Sequence, residues 1–160
     1  MTNQVSHFYE TEVEWTSARR ASLRSAERPV IQVAPPPEFK GEAGMWTPEH
    51  LYVASVNTCF VMTFLAIAEL SELDFASFAS KASGKLEKVD YGHRITEVVL
   101  NPTITVRHHR DVERALRLLN KAERNCLITD SIKTAVRIEP EINSEESDAA
   151  ETDRSSPLVA

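Results

Sequence analysis

The sequence lacks a basic stripe, an internal repeat and a secretory leader pattern, and it carries only two cysteines in 160 residues. Each absence excludes something. With 24 acidic against 18 basic side chains the formal charge is −6, so no nucleic acid and no anionic membrane surface is expected as the main partner, since either would repel the chain. The N-terminus, MTNQVSHFYETEVEW, has no basic flank followed by an apolar core, which leads to the expectation of a cytoplasmic protein. In that reducing compartment two cysteines do not form a permanent staple; they are either buried small hydrophobes or redox-active thiols. The histidines at positions 7, 50, 93, 108 and 109 have no metal-ligand spacing to the cysteines. His108 and His109, as neighbours on a strand, would point to opposite faces, so no zinc site is expected.

Charge is also missing locally. No ionisable Asp, Glu, Lys or Arg occurs over residues 51–68, and apolar residues there fall on every side of a 3.6-residue wheel. The stretch 47–73 therefore reads as a central helix surrounded by protein. Ser55, Asn57, Thr58 and Thr63 interrupt it, and it lies at the lower limit of spanning length, which argues against a membrane span. Thr47 suits the N-cap, Pro48 the first helical position, and the Glu49 carboxylate the positive end of the helix dipole.

The remaining segments fit around this helix. Residues 9–15 alternate, with Tyr9, Thr11, Val13 and Trp15 on one face and Glu10, Glu12 and Glu14 on the other, as in a half-buried strand. Residues 17–22, SARRAS, form a connection bearing Arg19 and Arg20, and a short extended piece starts at Leu23. Residues 30–33 read as a strand stopped by Pro35-Pro36-Pro37, and residues 39–46 as a glycine-containing loop. After the helix, 81–89 and 94–106 are strand-like and joined at Asp90-Tyr91-Gly92-His93, where the glycine supplies a turn, which makes them a hairpin. Residues 111–126 place Val112, Ala115, Leu116, Leu119, Ala122 and Cys126 on one helical face, which puts Cys126 inside. A last strand covers 132–138. The chain length suits one domain, assigned to residues 1–142, with an acidic, Ser-rich disordered tail at 143–160. Strands, buried helix, hairpin, amphipathic helix and strand make an α+β class.

Cys59 sits mid-helix, where base rates favour a packing residue over a nucleophile. The thiolate is the reactive form, and a buried apolar site raises a thiol pKa. The helix N-terminus is ten residues away at Glu49, so activation must come from a cation. An arginine stays charged when partly buried, and its fork of donors can hold both a thiolate and a peroxide oxygen. Arg19 or Arg20 would serve.

These residues together resemble the OsmC/Ohr superfamily of thiol peroxidases, named for osmotically inducible protein C and organic hydroperoxide resistance protein. The likeness rests on Trp15 followed by an arginine-bearing turn, on Phe39-Lys40-Gly41 ahead of Trp46-Thr47-Pro48-Glu49, on the step from Glu49 to Cys59-Phe60, and on Lys121-Ala122-Glu123-Arg124-Asn125-Cys126. It implies antiparallel sheets packed on a buried central helix in an intertwined homodimer. It further implies Cys59 as peroxidatic cysteine, Cys126 as resolving cysteine, Glu49 as the family glutamate and Arg20 or Arg19 as the family arginine. The arginine turn departs from the usual glycine-rich form, and Leu127 stands where many members have proline.

The activity implied is reduction of organic hydroperoxides in oxidative stress defence. Cys59 thiolate attacks the O–O bond, and the resulting sulfenic acid condenses with Cys126 to a disulfide that a dithiol, often lipoyl-type, resets. No metal, flavin or haem cofactor is implied. Phe60, Val61, Met62 and Phe64 are apolar residues near the thiol; Phe60, Met62 and Phe64 are candidate substrate contacts, with core packing as their simpler role. Ten helical residues rise about 15 Å, so Glu49 reaches Cys59 only if the helix breaks or a second chain supplies it. The alternative to an enzyme is a non-enzymatic redox-sensing or small-ligand-binding protein that keeps the fold and the cysteine pair; a third reading makes both cysteines inert core residues.

Overall fold

A computed structural model of the chain describes residues 6–146. The 1–142 domain of the sequence reading is built as two compact units, one up to Tyr52 and one from Val53 onward.

The first unit is a three-stranded antiparallel sheet, β1 (Glu12–Ser17), β2 (Arg20–Arg24) and β3 (Ile31–Val33), in that order. β2 starts at Arg20, inside the segment expected as a connection, because the reversal is made by Ala18 and Arg19 alone, with Ala18 in the left-handed region at φ 46°. The β1 strand is exposed along its length rather than half-buried, with Trp15 72% exposed within this chain. After β3 the three prolines end pairing, a 3-10 turn covers Pro37–Phe39, and Lys40 turns left-handed at φ 62°. Gly41 follows by necessity: a Cβ there would lie 1.5 Å from the Pro35 carbonyl oxygen. The loop is tied back by Ala34 N–H donating to the Trp46 carbonyl at 3.0 Å. Thr47 caps the next helix, its Oγ1 accepting from the His50 N–H at 3.2 Å.

The second unit is a mixed sheet with helices. Helix α1 spans Pro48–Leu70. It is long and apolar enough to cross a membrane by composition, and one stripe of it lies in the core. Val56, Phe60, Phe64 and Ala68 recur every four residues and are fully buried. Each such large side chain is worth about 1.5–3 kcal/mol. Phe64 stacks on Phe78 with ring centroids 4.3 Å apart. The helix is nevertheless not enclosed on all sides within one chain: Met62 is 55% exposed, and Leu65 and Leu70 are exposed as well.

Strands β4 (Phe75–Val89) and β5 (Gly92–Val106) form the expected hairpin, with β4 starting earlier than its sequence pattern shows. Gly84 marks the close approach of sheet and helix, since a Cβ there would sit 2.4 Å from Val53 Cγ2. Along β5, Val98, Leu100, Ile104 and Val106 are fully buried. Helices α2 (Val112–Arg124) and α3 (Leu127–Asp130) then cross over to β6 (Ala135–Ile138) and β7 (Glu141–Ser144), both parallel to β5, so the sheet is mixed rather than wholly antiparallel. The crossover permits this, because only a hairpin forces an antiparallel return.

Two further expectations change. His108 is extended and precedes a 3-10 turn at His109–Asp111, so the two histidines are not consecutive strand residues. Asn143 and Ser144 belong to β7, and Glu145 and Glu146 pair with Arg107 and His108, so the expected tail starts later. Residues 147–160, the rest of that tail, lie outside the described residues.

Candidate active site

The two cysteines meet because two helical patterns converge. Ala115, Leu119, Ala122 and Cys126 continue one stripe of α2 past its end, and all four are buried, Cys126 at 1% exposure. Cys126 itself is extended, φ −73° and ψ 113°, and stands at the N-cap of α3. Its carbonyl accepts the first bond of that helix, from Asp130 N–H at 3.0 Å. The N–H groups of a first helical turn have no partner within their own helix. Ile128 gives its N–H to Cys59 Sγ at 3.5 Å.

Cys59 is half-buried on α1, and neither cysteine is in a disulfide. Burial pushes the Cys59 thiol above its ordinary value, and its hydrogen bond with Cys126 pushes the same way. The Ile128 N–H and a hydrogen bond from Thr63, one helical turn along α1, act in the opposite sense but do not win. Cys59 therefore holds its proton more tightly than a free thiol.

The other candidates lie in the first unit. The Arg20 guanidinium pairs with Glu42, and Arg19 Nη1 donates to the Phe39 carbonyl at 2.8 Å. Both arginines line a cavity of about 530 Å³ with Lys40, Gly41 and Glu42. Glu49 lies in the first turn of α1, and its Oε2 is buried without a hydrogen-bond partner. Because α1 is continuous from Pro48 to Leu70, the broken-helix route from Glu49 to Cys59 is removed.

Phe60 and Phe64 have no exposed surface, so as substrate contacts they are corrected to core residues; only Met62 of the three presents surface. Two groups escaped the sequence reading. Thr63 was legible as the residue four positions after Cys59, whereas the Ile128 N–H is a backbone group with no side-chain signal.

A family model described as OsmC-like protein matches residues 41–141. The protein YmaD of Bacillus subtilis (strain 168) is 23% identical over 140 residues, covering 84% of this chain and 92% of the relative. Among solved structures, an OsmC-like protein of unknown function from Vibrio cholerae O1 biovar eltor has a TM-score of 0.77 at 22% identity, over 84% of this chain and 99% of that one. An organic hydroperoxide resistance protein OsmC from Legionella pneumophila has a TM-score of 0.68 at 21% identity, over 86% of this chain and 99% of that one. The family match spans Glu49, Cys59 and Cys126, and the resemblance read from the sequence is borne out: the chain belongs to the OsmC-like protein family.

Proposed function

We propose that this protein is a cytoplasmic thiol-dependent peroxidase that reduces organic hydroperoxides to alcohols in oxidative stress defence. Membership of the OsmC-like family supports a redox or peroxide-stress role. The observation that carries the finer reading is the hydrogen bond between the Cys59 and Cys126 thiols, one half-exposed and one buried.

The Cys59 thiolate attacks the terminal peroxide oxygen; the O–O bond breaks, the alkoxide takes a proton and leaves as alcohol, and Cys59 becomes a sulfenic acid. The Cys126 sulfur then displaces that hydroxyl as water and a Cys59–Cys126 disulfide forms. An external dithiol, of lipoyl type, returns both thiols and is itself oxidised to a disulfide.

A thiol pushed up by burial needs a positive charge to ionise at neutral pH, and Arg20 or Arg19 supplies it, with Glu49 orienting the guanidinium. The unbroken α1 and the unpartnered Glu49 Oε2 support a site completed by a second copy of the chain in an intertwined homodimer. The exposed Met62 and Leu65 on α1 support burial of that face by the second copy, and Met62 remains as a contact for the organic part of the peroxide.

The raised Cys59 pKa favours a second reading, a redox sensor or small-ligand-binding protein that oxidises without efficient turnover. Steady-state consumption of an organic hydroperoxide with a dithiol reductant separates the two. In the peroxidase, Cys59→Ser abolishes consumption, and Cys126→Ser keeps the first turnover but blocks recycling; equal, mild losses in both variants contradict these roles.

A further inference from the structure

We infer that Thr63 is a second hydrogen-bond donor to the Cys59 sulfur, acting with the Ile128 N–H to hold the thiolate from which the reaction starts. This rests on the reading of Cys59 as the reacting sulfur and names a residue of that site beyond the cysteines, arginines and Glu49.

On an α-helix, residues four apart share a face, and side chains tilt toward the N-terminus, so the Thr63 hydroxyl covers the turn that carries Cys59. The sulfur then meets two donors from different elements. Ile128 brings its N–H from the first turn of α3 at 3.5 Å, and Thr63 brings its O–H from α1. A thiolate accepts both bonds well, whereas a thiol sulfur is a weak acceptor, so the two donors favour the ionised form. They carry no net charge, so they complement the arginine rather than replace it. Without them, burial and Cys126 would oppose ionisation alone.

A threonine in a helix has a competing option. Its hydroxyl can turn to the carbonyl four residues back, here that of Cys59, and leave the sulfur. In that case Thr63 serves helix geometry and not the thiol.

The two roles separate in the pH profile of alkylation. The reduced full-length protein is treated with iodoacetamide, and modification of the Cys59 peptide is followed by mass in the wild type, Thr63→Val and Thr63→Ser. Thr63→Val should move the Cys59 titration upward and slow its alkylation at neutral pH about threefold to tenfold, while Thr63→Ser, which keeps the hydroxyl, should stay within about twofold of wild type. An unchanged profile in Thr63→Val, or equal shifts in both variants, would overturn the inference. If Thr63→Val does not fold, Thr63→Ala is read against Thr63→Ser by the same criteria. Alkylation uses no peroxide, so an unshifted profile with intact peroxide turnover overturns this inference alone. A shifted profile in a protein that consumes no peroxide supports Thr63 and overturns the peroxidase reading.

Discussion

Asn57 and Ser80 bind each other twice: Asn57 Nδ2 donates to the Ser80 carbonyl at 3.1 Å, and Ser80 Oγ donates to Asn57 Oδ1 at 2.6 Å. The pair fixes α1 to β4 two residues before Cys59, so the rotation that presents the thiol is set by a polar contact as well as by the apolar stripe. Asn57→Ala removes both bonds and leaves the Ser80 hydroxyl only its longer contact to the Lys81 carbonyl at 3.5 Å. It should lower unfolding stability by about 1–3 kcal/mol in denaturant titration. A loss below about 0.3 kcal/mol would show that the stripe alone positions the helix.

The large apolar residues of α1 divide by burial. Phe64→Ala empties a site packed against Phe75 and Phe78 and should cost about 3–5 kcal/mol, more than Met62→Ala, whose side chain is exposed within one chain. In peroxide kinetics the order reverses for KM, with Met62→Ala raising KM for a bulky organic hydroperoxide and leaving that for hydrogen peroxide unchanged. Equal KM effects on both peroxides would remove Met62 from substrate contact.

Burial and the Cys126 hydrogen bond hold the Cys59 thiol above the ordinary range, so in the absence of a cation the fold favours its protonated form. The stabilisation from this group is then complete below about pH 8.5, the unfolded thiol value, and is lost as pH rises through the higher folded value. Removing the acting arginine should expose that behaviour. Either Arg19→Ala or Arg20→Ala should shift the alkylation profile of Cys59 upward and the other should not, which also assigns the arginine. If neither shifts it, no arginine of that turn activates the thiol.

The exposed Met62, Leu65 and Leu70 of α1 predict an obligate homodimer. Sedimentation at micromolar concentration should give twice the chain mass. A monomer there would contradict a site completed by a second copy.

How far the sequence revealed the fold depended on what each segment's pattern could carry. The α2 stripe was legible because Ala115, Leu119, Ala122 and Cys126 keep one helical period with charges elsewhere, and they are buried as read. The first part of β4 was not: Phe75 to Ser80 has alanine and serine where strands prefer β-branched residues, and pairing from Phe75↔Val106 onward overrides that local preference. The parallel course of β6 and β7 was hidden because a strand's own pattern does not state its partner's direction. At the site, the α2 spacing showed that Cys126 is buried, whereas its pairing with Cys59 was implied by the family resemblance and not by spacing. The Ile128 N–H was not legible, since no side chain announces it, and Thr63 read only as an interruption of an apolar run.

The central claim is tested most directly by one turnover. Reduced protein is mixed with an organic hydroperoxide and, separately, with hydrogen peroxide, then thiol-blocked and weighed intact. The account predicts loss of both thiols as a single Cys59–Cys126 disulfide, faster with the organic peroxide; two blocked, unoxidised thiols under both peroxides would contradict it.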